Sequence, residues 1–146
     1  MMRSVEIQLR NERSELARAR DALDRLGEEL RIPARVLMQL QVALDEIVSN
    51  VIKYSWSDRA DHEFLVRITA DAETVTLAII DDGVAFDPRR APDLDALPAD
   101  QRPRLGGRGI HMIRQLVDGF TYRRIDGRNH TTLTKHCVIG AALEEK

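Results

Sequence analysis

Two strand patterns separated by only four residues constrain the fold of this chain most strongly. Residues 64–69 and 74–80 are rich in β-branched and aliphatic side chains, and the segment Ala70-Asp71-Ala72-Glu73 between them is just long enough for a turn. Residues 120–125 and 131–139 form a second such pair around the turn signal Asp126-Gly127. Strands joined this closely pair antiparallel, because a parallel crossover needs a dozen or more residues. The sequence therefore predicts a sheet built from hairpins.

Helical periodicity marks three further segments. Asn11 is predicted to cap the first helix, Pro33 suits the first turn of the second, and the second should run to about Tyr54. With a weakly alternating strand over residues 4–9, the predicted order is β-α-α-β-β-loop-α-β-β. We expect an α+β, two-layer α/β sandwich in which helices cover one face of a mostly antiparallel, mixed sheet. The apolar positions at helical spacing are Leu16, Ala19, Leu23, Leu26 and Leu30, then Val36, Leu37, Leu40, Leu44, Ile47, Val48 and Val51, then Ile110, Ile113, Leu116 and Val117.

Bulk properties exclude several classes of protein. A length of 146 residues suits a single domain over residues 1–146. The formal net charge of -2 does not indicate a general nucleic-acid or membrane surface. The single cysteine, Cys137, excludes an internal disulfide and fits a reducing compartment, and its apolar neighbours favour a packed strand residue over a nucleophile. No long apolar run occurs, so we expect a cytoplasmic protein.

The first candidate for chemistry lies on the second predicted helix. Glu46, Asn50 and Lys53 are spaced i, i+4 and i+7, so they share a face that lies away from the apolar stripe. An amide oxygen is a hard ligand for Mg²⁺, which also bridges substrate phosphates. A carboxylate beside it is able to accept a proton from a hydroxyl or a water molecule. The alternative is an ordinary solvated polar face.

The second candidate is the segment Asp81-Asp82-Gly83, which follows an apolar strand. A buried carboxylate accepts a hydrogen bond from an exocyclic amine, which adenine has and guanine lacks at the same ring position. Gly83 allows the backbone to turn sharply and to approach a flat ring closely. The alternative is a common Asp-Gly turn after a strand.

The third candidate opens the last predicted helix. Gly106, Gly107 and Gly109 leave free backbone N–H groups at the positive end of the helix dipole, and Arg108 adds a charge-assisted donor for phosphate oxygens. No Gly-Lys-Ser/Thr follows and the spacing does not fit the dinucleotide fingerprint. A flexible loop is the alternative. The preceding residues 88–103 contain four of the five prolines and are predicted to be an irregular loop, which at this length is commonly functional.

These three segments, in this order, resemble the boxes of the GHKL ATP-binding (Bergerat) fold shared by histidine kinases, Hsp90 and type II topoisomerases. Asp45-Glu46-Ile47-Val48-Ser49-Asn50 is similar to the N box, and Asp81-Asp82-Gly83-Val84-Ala85-Phe86-Asp87-Pro88 is similar to the G1 box. Gly106-Gly107-Arg108-Gly109-Ile110 is similar to the G2 box, and Thr131-Thr132-Leu133 resembles the final conserved element. The resemblance covers about residues 36–138 and is closest to the anti-sigma-factor serine kinases of the partner-switching type.

The resemblance implies a role for each matched residue. Glu46 would be the general base and Asn50 the Mg²⁺ ligand, while Asp81 would bind the adenine amino group with Gly83 beside the ring. Thr132 would support Asp81 or the adenine through water. The other nucleotide-binding positions would be Lys53, Ala85, Gly107, Arg108, Gly109 and Ile110.

The same resemblance implies an anti-sigma factor and protein-serine kinase that binds Mg-ATP, phosphorylates a serine of a STAS-type anti-anti-sigma partner and sequesters a sigma factor. Residues 88–105 would form the ATP lid. Ala85, where a second glycine is usual, and Tyr54, where a histidine is frequent, depart from the family pattern and bear on nucleotide affinity. Two alternatives remain open: a non-enzymatic ATP-bound binding module, and a switch kinase that acts on a STAS scaffold without binding sigma. A homodimer through the helix at residues 11–30 is also open, since intrachain packing explains its apolar stripe equally well.

Overall fold

The helices and strands follow the predicted order. The computed structural model describes residues 2–90 and 106–139, so most of the predicted lid, residues 91–105, lies outside the described residues. Short 3-10 turns lie at Arg13–Glu15 and Pro88–Arg90. The elements are β1 (Arg3–Arg10), α1 (Leu16–Leu30), α2 (Ala34–Tyr54), β2 (Glu63–Ala70), β3 (Thr74–Asp81), α3 (Gly106–Leu116), β4 (Gly119–Ile125) and β5 (Arg128–His136).

The five strands form one open sheet in the order β1-β2-β3-β5-β4. All four pairings between these strands are antiparallel. The expectation of a mixed sheet is therefore wrong for the described strands, while the α+β sandwich is confirmed. Each neighbouring pair in the sheet is either a hairpin or a pairing of chain segments that run in opposite directions, so no parallel crossover is needed.

One face of the sheet carries the core. Alternate residues of β2 and β3 are buried, as the period of a strand predicts for a sheet covered on one side. Helices α1, α2 and α3 lie on that face, with α2 in contact with both of the others. None of the described helices has the length and apolar character that a membrane span requires. Among the residues that the structure describes, the largest fully buried side chains are Leu9, Leu23, Leu26, Leu40, Leu44, Ile47, Ile68, Leu77, Ile79, Ile113, Leu133 and Ile139.

The beginning of α1 differs from the prediction. Asn11 does not cap the helix, because the 3-10 turn Arg13–Glu15 precedes α1 and the N-cap position is Glu15. The Asn11 side chain instead joins β1 to the segment before β2: its amide donates to the Ala60 carbonyl at 3.0 Å and its oxygen accepts from the His62 N–H at 3.0 Å. The N-cap rule considers only neighbouring residues, so it does not predict these long-range hydrogen bonds.

The hairpin of β4 and β5 turns at the predicted site but resumes earlier than predicted. Asp126 and Gly127 have φ angles of 51° and 76°, as a two-residue type I′ turn requires. Such a turn returns directly into the next strand, so β5 begins at Arg128 and not at Thr131. The strand therefore includes Asn129, which pairs with Asp81 of β3.

Candidate functional site

Polar residues interrupt the apolar layer between α2 and the sheet. Among the described residues, the buried polar or charged side chains are Glu15, Asn50, Ser55, Asp81, Asn129 and Thr131. Apart from Glu15, each of these belongs to α2, to the residue that follows it, to the end of β3 or to the first half of β5. Burying polar groups costs free energy unless they have partners, so their concentration at one end of the fold marks a candidate site.

Glu46 and Asn50 lie one turn apart on α2. The Glu46 side chain is half-buried, and its Oε1 atom is buried without a hydrogen-bond partner among the described residues. This desolvation raises the pKa of Glu46 above that of an ordinary carboxyl, while the charge of Lys53 and the amide of Asn50 oppose the rise. A carboxylate whose pKa is raised is a better proton acceptor once it is ionised, and an unpaired buried oxygen is free to receive that proton.

Asp81 occupies the end of β3 with only 5% of its surface exposed. Its Oδ1 atom accepts two hydrogen bonds, from the backbone N–H of Gly83 at 2.9 Å and from the side-chain amide of Asn129 at 2.9 Å. Both of these described bonds end on the same oxygen. The other oxygen, Oδ2, is therefore the one that the arrangement offers to a ligand donor.

Gly83 packs directly against the residue after α2. A Cβ atom at Gly83 would lie 2.2 Å from the carbonyl oxygen of Ser55 and 2.5 Å from its Cβ, so any side chain would require the backbone to move. The Val84 N–H donates to the same Ser55 carbonyl at 2.8 Å. The glycine is thus required by this close approach, and the turn after β3 is joined to the end of the helix that carries Glu46 and Asn50.

The sequence did not predict Asn129 as a site residue, although its side chain connects Asp81 to β4. Asn129 is 3% exposed, and its amide nitrogen donates to Asp81 Oδ1 and, at 2.8 Å, to the Val84 carbonyl. Its oxygen accepts from the Tyr122 hydroxyl and, at 3.1 Å, from Arg124 Nη1. Extending β5 back to the Asp126-Gly127 turn would have placed Asn129 beside Asp81.

Thr132 lies on the wrong face of the sheet for the support that the resemblance implies. It pairs with Ala78, whereas Thr131 pairs with Ile79 and shares a face with Asp81. Thr131 is 5% exposed, which agrees with a position under the helices. The strand places Thr131 and Asn129, not Thr132, on the Asp81 side.

The remaining predicted positions surround the same end of the fold. Lys53 is exposed in the last turn of α2, and Ala85 is exposed in the loop that leaves the Gly83 turn. Helix α3 begins at Gly106, so Gly107, Arg108, Gly109 and Ile110 belong to its first turns and α3 packs against α2. Their side chains lie outside the described part of the structure. Backbone N–H groups at the start of this 11-residue helix have no acceptor within the helix, as an anion site needs.

Trp56 forms a second connection between α2 and the turn after β3, and the sequence did not predict it. Its indole N–H donates to Asp82 Oδ1 at 3.1 Å. Its ring stacks on His62, with centroids 4.7 Å apart and planes 3° apart. His62 Nε2 lies 2.8 Å from Asp58 Oδ1. Trp56 is the only tryptophan of the chain, so it reports spectroscopically on this region.

The donor set fits a Mg²⁺ ion that arrives with a nucleotide. In the described ranges, no group of three or more His, Cys, Asp or Glu side chains is arranged to hold a metal. Mg²⁺ commonly takes one or two protein oxygens and completes its shell with phosphates and water. A buried Asn50 beside the unpaired Glu46 oxygen matches that pattern.

The chain is similar to proteins of known family. The family model of the histidine kinase-like ATPase domain matches residues 9–135. The chain is 30% identical over 116 residues to the serine/threonine-protein kinase BtrW of Bordetella bronchiseptica. The aligned region covers 78% of this chain and 80% of BtrW.

Two solved structures share the fold. The RsbU and RsbW domains of Rv1364c from Mycobacterium tuberculosis match with a TM-score of 0.66 and 18% identity, over 91% of this chain and 32% of that chain. The histidine kinase domain of the blue-light activated kinase EL346 from Erythrobacter litoralis matches with a TM-score of 0.52 and 18% identity, over 90% of this chain and 62% of that chain. The chain thus spans about a third of the first solved chain.

Proposed function

Because the chain belongs to the histidine kinase-like ATPase domain family, we propose that it binds Mg-ATP and transfers the γ-phosphoryl group to a serine of a protein partner. The likeness to a serine/threonine-protein kinase over most of both chains supports transfer to a hydroxyl. The observation that carries the proposal is the buried Oε1 of Glu46, which lies beside Asn50 and has no hydrogen-bond partner among the described residues. This arrangement is that of a base next to a metal ligand, and a solvated polar face would not bury the oxygen.

Nucleotide binding uses residues from three elements. Asp81 accepts a hydrogen bond from the adenine amino group, and the Gly83 turn lies against the ring. Asn50 would hold the Mg²⁺ ion, whose chemistry would be to neutralise phosphate charge. The backbone N–H groups at the start of α3, together with Lys53, hold the phosphates. Ala85, in the loop that leaves the Gly83 turn, borders the nucleotide.

Glu46 acts on the attacking hydroxyl. The serine oxygen forms a bond to the γ-phosphorus while the bond to the bridging oxygen of ADP breaks, and Glu46 Oε1 takes the hydroxyl proton. A buried position keeps bulk water away from this oxygen, which limits competing hydrolysis. The raised pKa of Glu46 brings its basicity closer to that suited to proton transfer near neutral pH.

The partner is a STAS-type anti-anti-sigma protein, and the regulated target is a sigma factor. This part of the proposal depends on the resemblance of the three boxes to partner-switching kinases. In this scheme phosphorylation releases the STAS partner and leaves the kinase free to hold sigma. Both exchanges take place in the cytoplasm, where ATP and sigma factors are found.

The test compares Glu46→Gln with the wild-type chain in two assays. Calorimetry measures ATP affinity, and labelled ATP with STAS proteins of the same genome measures transfer. We expect Glu46→Gln to keep ATP affinity and to lose about 10²–10⁴-fold in transfer, the typical contribution of a general base. Glu28→Gln, an exposed glutamate on α1, is the matched control and should be unchanged. Transfer by Glu46→Gln at the wild-type rate refutes the base, and ATP binding without transfer in the wild type indicates a regulatory module.

A further inference from the structure

We propose that Asn129 is a positioning residue that sets the adenine selectivity of the site. It does so by determining which oxygen of Asp81 is presented to the nucleotide. The inference rests on the proposed binding of adenine by Asp81. Asn129 lies on β5, outside the N box, the G1 box, the G2 box and the Thr131-Thr132-Leu133 element.

The orientation of the Asn129 amide follows from its partners. Its oxygen faces two side-chain donors, the Tyr122 hydroxyl and Arg124 Nη1, together with the Phe86 backbone N–H at 3.4 Å. A reversed amide would bring its NH₂ group against these donors. The nitrogen therefore faces the two acceptors on the other side, Asp81 Oδ1 at 2.9 Å and the Val84 carbonyl at 2.8 Å.

This orientation makes the two oxygens of Asp81 unequal. Oδ1 is held by Asn129 and by the Gly83 N–H, so the rotation of the carboxylate is restricted. Oδ2 remains for the ligand, and an ionised carboxylate only accepts hydrogen bonds. An amino group at the ring position satisfies Oδ2, whereas the carbonyl of a guanine would leave two acceptors facing each other. Discrimination against a ligand that lacks the donor is strong when it leaves a buried polar group unpaired.

Two side chains of β4, the strand next to β5, hold Asn129 in this orientation. Arg124 Nη1 donates both to Asn129 Oδ1 and, at 2.8 Å, to the Gly83 carbonyl. The same guanidinium therefore holds Asn129 and the turn that follows Asp81. Tyr122 pairs with Thr131 and reaches Asn129 from the neighbouring strand. Asn129 therefore connects two side chains of β4 to the carboxylate of Asp81. It acts on the nucleotide through Asp81 and not by direct contact.

The experiment measures selectivity, which a purely structural role would not change. Binding of ATP and of purine riboside triphosphate, which lacks the 6-amino group, is measured by calorimetry with Mg²⁺ on the full chain. We expect the wild type to prefer ATP by about 10- to 100-fold, the value of one buried hydrogen bond to a charged group. Asn129→Asp keeps the shape but replaces the donor with a carboxylate oxygen facing Asp81, so it should lose this preference and bind the amino-free analogue as the wild type does.

Two further variants complete the test. Tyr122→Phe leaves Asn129 in place but removes one group that orients it, so the preference should fall in the same direction by a smaller factor. Asn11→Asp changes an asparagine whose described side-chain bonds join the end of β1 to the segment before β2, and it should keep the full preference. Equal losses for both nucleotides in Asn129→Asp, or an unchanged preference in both Asn129→Asp and Tyr122→Phe, would overturn the inference. A wild-type chain that does not bind ATP would instead refute the proposed function.

Discussion

Replacement of Gly83 by alanine tests the contact that joins the turn after β3 to the end of α2. The new methyl group would lie 2.2 Å from the Ser55 carbonyl oxygen, a backbone atom that no side-chain rotation is able to move. Relief of such overpacking costs about 1–3 kcal/mol. Separation of the two segments also lengthens the bond from the Val84 N–H to Ser55, which contributes about 0.5–1.5 kcal/mol. We expect a loss of about 2–4 kcal/mol in the free energy of unfolding.

Urea unfolding followed by Trp56 fluorescence measures this loss. For a slope of about 2 kcal/mol per molar urea, in the middle of the usual range, the midpoint should fall by roughly 1–2 M. Gly119→Ala is the matched control, because its methyl group would meet Thr134 Oγ1 at 2.2 Å, a side-chain atom that is able to rotate away. Its midpoint should fall less. Equal midpoints for the two variants would show that the backbone contact at Ser55 is not rigid, and the argument for Gly83 would fail.

Three further predictions concern the site itself. Asp81→Asn places donors opposite the adenine amine and should weaken ATP binding by about 10- to 100-fold in calorimetry, so an unchanged affinity would remove Asp81 from the site. Asn50→Ala should weaken both Mg-ATP binding and transfer, and equal ATP affinity with and without Mg²⁺ in the wild type would contradict the metal assignment. Because the folded-state pKa of Glu46 is raised, its contribution to stability is present at low pH and is lost as the pH rises through that pKa. Glu46→Gln should therefore raise the urea midpoint at pH 7 relative to the wild type, and a lower midpoint would contradict the desolvation argument.

The order of the helices and strands was available from the sequence, and so was the extent of α2, β2 and β3 to within a residue or two. The apolar stripe of residues 36–51 predicts a helix ending near Tyr54, and α2 ends there. The β-branched and aliphatic residues of 64–69 and 74–80, only four residues apart, predict a hairpin, and β2 and β3 form it. These features depend on side chains one to four positions apart, so local periodicity is sufficient. The box-like segments were also recognisable, because each is continuous in the chain.

The hydrogen-bond partners of the residues in those segments depend on the tertiary structure. Asn129 lies 48 positions from Asp81, and Trp56 lies 26 positions from Asp82, so no local pattern connects them. Asn11 satisfies a local rule for a helix cap, yet it bonds to Ala60 across 49 positions. Buried polar groups take the best partner in three dimensions, and the sequence does not specify that partner.

The choice between Thr131 and Thr132 separates what the sequence predicts from what the tertiary structure decides. Both residues are in the predicted strand, and the sequence alone favoured Thr132 by resemblance. The side of the sheet is set by register, and a shift of one residue moves every side chain to the other face. That register follows from the positive φ angles of Asp126 and Gly127, which start β5 at Arg128, and from its pairing with β3. Residue types and spacing were thus determined by the sequence alone, while the face on which each side chain meets Asp81 was decided only by strand pairing.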